Sequence, residues 1–316
     1  MTVKIFGRND ASPLPELIPH TNFTFSAGEE QVRLLKDITT YPEILILANL
    51  ANSQDIIELV MVLSAIRDSG SDNLINLFLP YLPYSRQDRV CYPGEAFGLK
   101  AFARLVYFAA KNNLRVTTWD AHSSQANQVF HQLSVPFTSV NVNYFIRQFK
   151  EAGQLTGYDQ IENDFVIVAP DQGAVSRASL AAKTLNVPAD RVLFGKKIRD
   201  PGNGEILGLM ILKKMPDGTE SNAPENLDIK GKRVLIVDDI CDGGRTFIEL
   251  AKALKSYGAG PIDLYVTHGI FSKGFDVFYD NTGKSLIDRF LVPNIFPNVV
   301  APDKAFSELI TLPTEQ

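Results

Sequence analysis

The stretch 234–250, VLIVDDICDGGRTFIEL, sets two adjacent carboxylates, Asp238 and Asp239, at the end of a β-branched run. Paired acids leaving the C-terminal end of a strand can accept hydrogen bonds from a sugar diol or hold a divalent cation. Gly243 and Gly244 permit positive φ and close backbone approach, and Arg245 and Thr246 open what reads as a helix. The start of that helix offers unpaired N–H groups and the positive end of a dipole, a ready anion site. Acids, tight turn and helix in this order point to a phosphorylated ligand. A solvated turn capped by Asp242 is the plain alternative, but such a turn rarely needs both the acids and the glycines.

Four further segments carry candidate chemistry. VIVAPDQGAVSRASLA, 166–181, repeats strand, turn and helix, with Asp171 as a possible metal ligand and a turn able to cradle a second phosphate group. In LPYLPYSRQDR, 79–89, Arg86 and Arg89 flank Gln87 and Asp88; their guanidinium forks suit phosphates or a base, or else form a surface salt-bridge cluster. WDAHSSQ places His122 two residues beyond Asp120, where an imidazole can ligate a metal, a structural histidine being the alternative. FGKKIRD gathers Lys196, Lys197 and Arg199, cations fit to neutralise charge on a closing lid, or a solvated basic run. His20, His131 and His268 read as structural. No Walker A, H-E-x-x-H or G-x-S-x-G motif occurs, so a bound nucleotide would be held by something other than a P-loop.

These segments need strands and helices to position them. Apolar runs at 3–6, 44–48, 74–79 and 116–119 read as strands, with helical spacing at 55–68 and 97–111. A second series has strands at 165–169, 206–212, 233–237 and 262–267 and helices at 174–185 and 246–257. Strands apolar on both faces and separated by helices imply two α/β domains with mostly parallel sheets flanked by helices. The join falls near 140–153, giving domains 1–145 and 146–316, with the last residues available to pack back on the first. Residues 195–232, rich in Gly, Pro, Asn and charge, read as a mobile loop.

The 316 residues suffice for two domains, and 45% hydrophobic with 21% charged residues is ordinary for a globular chain. A net charge of −5 gives no global support for a nucleic-acid partner. Two cysteines, Cys91 and Cys241, suit a reducing cytosol, and the absence of a signal peptide or spanning segment leads to the expectation of a cytoplasmic, membrane-free protein.

Together, in this order, PYSRQDR, DAHSSQ, APDQGAVSR, VDDICDGGRT and VTHGIFS resemble the ribose-phosphate pyrophosphokinases (phosphoribosyl-diphosphate synthetases) over nearly the whole chain. FSAGEEQV, 25–32, is similar to that family's adenine-contacting hairpin. The resemblance implies two phosphoribosyltransferase-like domains, Mg²⁺, and transfer of the β,γ-diphosphoryl group of ATP to the anomeric hydroxyl of ribose 5-phosphate, releasing AMP. It also implies a homo-oligomer with the ATP site shared between subunits. By matching position, Arg86, Gln87 and Arg89 would contact ATP, with Phe25 and Glu29 reaching the adenine from the adjacent subunit. His122 and Asp171 would engage the Mg–ATP phosphates, and Asp238 and Asp239 the ribose hydroxyls. The residues 242–246 (Asp242, Gly243, Gly244, Arg245 and Thr246) would wrap the 5-phosphate. Lys197 and Arg199 fit the family's catalytic K-x-R pair, with Lys196 one residue away.

Departures from the family pattern bear on the substrate. The family's 5-phosphate loop reads D-T-x-G-T, whereas this chain has DGGRT: Gly243 removes a hydroxyl and bulk, and Arg245 adds a cation. A monophosphate fits such a loop, and so does a chain that continues to a second phosphate. The alternative acceptor is therefore ADP-ribose, whose 1-diphosphate would be an activated donor for a base such as nicotinamide in NAD metabolism. Ala27 replaces an aspartate in the adenine hairpin, and VCYPGEAFG and LANLANSQD replace segments of the family's phosphate/ADP regulatory site, so a weak response to both effectors is expected. Two other classes stay open. A simple phosphoribosyltransferase has no need of SRQDR and DAHSSQ, and a non-catalytic regulatory homologue has no need of Lys197, Arg199, His122 and Asp171.

Overall fold

The alternation of apolar runs and amphipathic stretches builds two α/β units, Met1–Val140 and Asn141–Gln316. The computed structural model describes residues 3–9, 14–70, 72–111, 113–155, 157–158, 165–199, 206–215, 217–297, 299–302 and 308–312.

In the first unit a six-stranded sheet is formed by β1 (Val3–Arg8), β2 (Glu16–Ile18), β5 (Glu43–Ala48), β6 (Leu74–Leu79), β7 (Leu114–Trp119) and β8 (Phe137–Val140), in the order β2-β1-β5-β6-β7-β8. β1 is antiparallel to both neighbours, while β5 through β8 run parallel. The strands β3 (His20–Thr24) and β4 (Glu30–Leu34) make a separate hairpin. Helices α1 (Ser53–Asp68), α2 (Gly98–Ala110) and α3 (Gln125–Gln132) fill the crossovers. Ile44, Ile46, Ile75 and Leu77 from the sheet are buried with Leu59, Val62 and Leu63 of α1 and Phe102 and Val106 of α2. α1 starts before residue 55 because Asn52 caps it: the Asn52 side chain accepts from Asp55 N at 3.0 Å and Asp55 Oδ2 accepts from Asn52 N at 3.2 Å, a reciprocal capping box.

The second unit begins with α4 (Val142–Glu151), a helix that spans the expected 145/146 boundary and packs on α5 (Val175–Thr184). Its strands are β9 (Phe165–Ala169), β10 (Val192–Arg199), β11 (Ile206–Lys214), β12 (Glu220–Ser221), β13 (Arg233–Cys241), β14 (Ile262–Gly269), β15 (Arg289–Leu291), β16 (Asn294–Ile295) and β17 (Glu308–Ile310). The order is β12-β11-β10-β9-β13-β14-β15-β17, with β16 also on β14; α6 (Pro224–Leu227) and α7 (Arg245–Ser256) complete the unit. β9 and β14 are buried along their whole length, as a parallel sheet covered on both faces requires. The described part of the C-terminus, Glu308–Ile310, extends this second sheet beside β15.

At the N-terminal ends of β13, β14 and β15 lies a fully buried carboxylate, Asp263. It accepts from Arg289 Nη2 at 2.6 Å, Arg233 Nη1 at 2.9 Å and Tyr158 Oη at 2.7 Å, joining β13, β14 and β15 through one charge. Burial first, then the neighbouring Asp263 charge, pushes the Tyr158 phenol well above its ordinary range, so it stays a donor.

The reading of 195–232 as one mobile loop is corrected. β10 and β11 form an antiparallel hairpin, Gly195 facing Ile211 and Lys197 facing Leu209, and β12 and α6 follow. Residues 200–205 lie outside the described residues.

Candidate active site

In an open parallel sheet, side chains that act on a ligand collect beyond the C-terminal ends of the strands. In the second unit three neighbouring strands, β10, β9 and β13, run parallel and carry their candidate residues to one edge. Lys196, Lys197 and Arg199 close β10, Asp171 follows β9, and Asp238 to Arg245 end β13 and open α7. The order of strands thus brings together residues up to 74 positions apart, from Asp171 to Arg245.

The acids themselves sit inside β13 and not beyond it, because β14 carries the ladder on to the pair Cys241 and Gly269. Asp239 is buried, and Asp239 N donates to Asp238 Oδ1 at 2.9 Å. Two carboxylates side by side in such a place need a counter-charge. It comes from α5: Arg177 Nη1 lies 3.3 Å from Asp238 Oδ1 and 3.6 Å from Asp239 Oδ1, with its side chain only 10% exposed. Burial and then the Asp239 charge push the Asp238 carboxyl well above the usual carboxylate range, and Arg177 pulls it back. Arg177 was not singled out from the sequence. It stands inside the APDQGAVSR stretch, but nothing in its spacing reveals a partner on β13.

The turn after β13 is built on glycine. Gly244 caps α7 with φ 76°, and a Cβ placed on it would lie 2.7 Å from Phe278 Cζ. Both the backbone and the ring exclude other residues here. At Gly243 an added Cβ would lie 3.6 Å from Lys273 Cδ and Cε, so the aliphatic chain of Lys273 runs alongside the turn. Asp242 and Thr246 are half-buried and Arg245 is exposed. Asp242 does not cap the helix, since the capping position is Gly244 and no side chain bonds there. Cys241 is fully buried, and burial with the charges of Asp238 and Asp242 pushes its thiol up, so it is no nucleophile.

At the second turn, Asp171 Oδ1 accepts from Gly173 N at 2.9 Å and Ala174 N at 3.2 Å, fixing the entry to α5. Gly195 brings β10 against this turn: a Cβ on it would lie 2.5 Å from Pro170 O. On β10, Lys196 Nζ pairs with Glu220 Oε2 at 2.9 Å, while Lys197, on the other face by strand alternation, is exposed. Arg199 closes the strand, its side chain being outside the described part.

In the first unit the same edge logic holds. The Arg86–Arg89 loop follows β6, and the His122 loop follows the adjacent β7. Ser123 Oγ donates to Asp88 Oδ2 at 2.6 Å and ties the two loops together. Arg86, Gln87, Arg89 and His122 are exposed beside that link. Gln87 lies over the start of α2, where a Cβ on Gly98 would meet Gln87 Oε1 at 2.3 Å. Asp120 takes φ 35°, a conformation acids tolerate better than most residues, at the head of the His122 loop. Phe25 and Glu29 close the β3–β4 hairpin, Phe25 N donating to Glu29 O at 2.8 Å, and both side chains are exposed.

Among the described residues no group of three or more His, Cys, Asp or Glu side chains gathers as a metal site, and no helix is long and apolar enough to cross a membrane. Mg²⁺ held through one or two carboxylates and substrate phosphates does not require such a cluster, so Asp171 at an exposed turn fits that mode.

Two family models match the chain: "N-terminal domain of ribose phosphate pyrophosphokinase" over residues 15–109 and "Phosphoribosyl transferase domain" over 150–293. The chain is 30% identical to a ribose-phosphate pyrophosphokinase of Gloeobacter violaceus over 296 residues, covering 93% of this chain and 78% of that one. A ribose-phosphate pyrophosphokinase of Methanopyrus kandleri is 29% identical over 303 residues, covering 95% and 93%. Among solved structures, phosphoribosylpyrophosphate synthetase from Mycobacterium smegmatis matches with a TM-score of 0.69 at 23% identity over 93% of this chain and 86% of that one, a likeness of fold.

Proposed function

Because this chain belongs to the ribose-phosphate pyrophosphokinase family, we propose that it transfers the β,γ-diphosphoryl group of ATP to the anomeric hydroxyl of a ribose 5-phosphate-type acceptor. The observation that carries this reading is the shared edge of β10, β9 and β13, where cations, a phosphate turn and an acid pair meet. In the reaction the anomeric oxygen bonds to Pβ, the bond from Pβ to the Pα-bridging oxygen breaks, and that oxygen leaves with AMP. The hydroxyl proton passes to solvent.

Such a displacement asks the protein for position and charge neutralisation more than for a covalent group. Asp238 and Asp239 accept from the ribose hydroxyls, and Arg177 supplies the positive charge beside them. The turn from Asp242 to Thr246 presents its backbone and the start of α7 to the 5-phosphate. Lys197 faces the developing charge, while Lys196 is engaged by Glu220. Arg86, Gln87, Arg89 and His122 contact ATP, with Phe25 and Glu29 serving the adenine of a neighbouring subunit in a homo-oligomer. Mg²⁺, when bound with ATP at Asp171 and His122, supplies charge neutralisation on the phosphates.

ADP-ribose is the second acceptor reading. It is favoured by the DGGRT turn, where Gly243 leaves room, Arg245 adds a cation, and the Lys273 chain runs alongside Gly243. Incubation with ATP, Mg²⁺ and each acceptor, read by AMP release and ³¹P NMR of the product, tests both. AMP formed with either acceptor supports transfer and excludes a non-catalytic homologue; no AMP with either overturns it. Turnover of ribose 5-phosphate with none of ADP-ribose removes the second reading alone.

A further inference from the structure

The segment that follows β14 contributes two things to the acceptor turn at once. Ile270 N and Phe271 N both donate to Cys241 O, at 2.8 and 3.1 Å, which fastens the segment to the end of β13 just before Asp242. From there Lys273 sends its side chain along Gly243, as described above. The neighbours of Lys273 face elsewhere. They wall a cavity of about 440 Å³ between Ile270–Asp276 and residues 297 and 299–302, in which Lys273 takes no part. Phe271 and Phe275, with ring centroids 4.3 Å apart, form part of the wall together with Pro297 and Val299, and Asp276 brings a carboxylate.

A cavity of this size falls within the range of about 300–1,000 Å³ usual for small-molecule sites. Its exposed Ser272 and Asp276 suit hydrogen-bond donors such as ribose hydroxyls or an exocyclic amine. Pro297, Val299 and Val300 give an apolar surface for a flat heterocycle, while Phe271 and Phe275, each 4% exposed, pack into the core beneath. A monophosphate acceptor seated on the 242–246 turn has no part that would enter it. A ribose 5-diphosphate carrying a nucleoside does, and Lys273 stands at the turn where the second phosphate must pass.

We infer that residues 270–276 form a second acceptor-binding element: Lys273 pairs with the second phosphate of a nucleoside-diphosphate ribose, and the cavity beside it seats the nucleoside. This rests on the acceptor turn of the proposed function and extends it to residues outside any motif quoted from the sequence except the end of VTHGIFS.

The test is a ladder of acceptors, ribose 5-phosphate, ribose 5-diphosphate and ADP-ribose, run on the full chain with Mg–ATP. It is paired with isothermal titration of ADP-ribose in the presence of α,β-methylene-ATP, whose bridge blocks transfer. In the wild type each step of the ladder lowers KM or Kd, by a factor on the order of ten for a charge-assisted phosphate contact. Lys273→Ala removes the gain from the second phosphate, and Ala301→Trp, which fills the cavity, removes only the gain from the nucleoside. If Ala301→Trp fails to fold, Val300→Trp, at a position 82% exposed, replaces it. A flat ladder, or an equal loss on all three acceptors in the cavity variant, overturns the inference. If ribose 5-phosphate releases AMP while ADP-ribose neither reacts nor binds, the inference falls and diphosphoryl transfer stands. If no acceptor releases AMP yet ADP-ribose binds and the tryptophan variant weakens it, the inference stands and the transfer reading falls.

Discussion

Replacing Arg177 by methionine keeps much of the aliphatic volume and deletes the guanidinium that lies beside Asp238 and Asp239. At separations of 3.3 and 3.6 Å each pair has a gross attraction of about 5 kcal/mol at an effective dielectric near 20. Most of that offsets desolvation, and removing one partner of a buried cluster typically costs about 3–5 kcal/mol. The loss has a pH signature. Asp238 already titrates above its unfolded value, so the folded state holds more protons than the unfolded one in the window between the two pKa values. Stability from this group is therefore fully present below the unfolded value of about 4 and declines as pH rises through the folded value. Without Arg177 the folded value climbs further and the decline deepens.

The expected result is a melting-temperature deficit of Arg177→Met that widens from pH 5 to pH 8, measured by circular dichroism. In parallel, the acidic limb of kcat/KM for the acceptor moves to higher pH, because the ribose hydroxyls need ionised acceptors. Arg177→Lys, which keeps the charge without the fork, recovers part of both. A deficit that is the same at all pH values, with an unmoved acidic limb, would refute the reasoning: Arg177 would then be only a packing residue.

Four other outcomes are expected. Gly244→Ala meets both a left-handed backbone and the Phe278 ring, and should lose about 1–3 kcal/mol in urea unfolding together with acceptor binding. Asp263→Ala leaves Arg233 and Arg289 facing a void and should cost about 3–5 kcal/mol by the same measurement, with no direct change in acceptor KM in the folded fraction. Lys197→Ala should lower kcat by about 10²–10³-fold, while Lys196→Ala, whose partner is Glu220, should have a much smaller effect in the same steady-state assay; equal losses would place the chemistry on Lys196 as well. Inorganic phosphate should activate weakly or not at all in a titration: in the segment that departs from the family pattern, Glu95 Oε2 accepts from Cys91 N and Tyr92 N, and a carboxylate there opposes an anion.

What could be read from the sequence depended on whether a residue announces its environment by itself. Asp238 and Asp239 do, because two acids ending an apolar run are conspicuous, and the expected strands and helices of both series are all present. Arg177 does not: an arginine on a helix of mixed polarity reads as solvated until the partner strand, 61 positions on, is known. The strand β10 was hidden by Gly195-Lys196-Lys197, which breaks the apolar pattern. Pairing with both β9 and β11 decides its conformation, and that information is not local. The basic residues consequently belong to a strand end beside the Asp171 turn rather than to a loop.

Lys273 is the furthest from legible. Its neighbourhood with Gly243 exists only because β13 and β14 pair in parallel up to Cys241 and Gly269, which carries the segment after β14 back onto the turn after β13. The same register explains why the acids sit inside the ladder. A parallel sheet places the ends of its strands side by side, and so lets one turn supply the backbone and the next supply the charge. On the proposed nucleoside-diphosphate ribose acceptor, the DGGRT departure is half of a change whose other half lies beyond β14. A glycine at 243 without Lys273 would only loosen a phosphate loop, and Lys273 without that glycine would compete for its space with a branched side chain. The double variant Gly243→Thr with Lys273→Gly should accordingly shift the ratio of kcat/KM values toward ribose 5-phosphate by more than the product of the two single changes. Strict additivity would show that the two positions act independently.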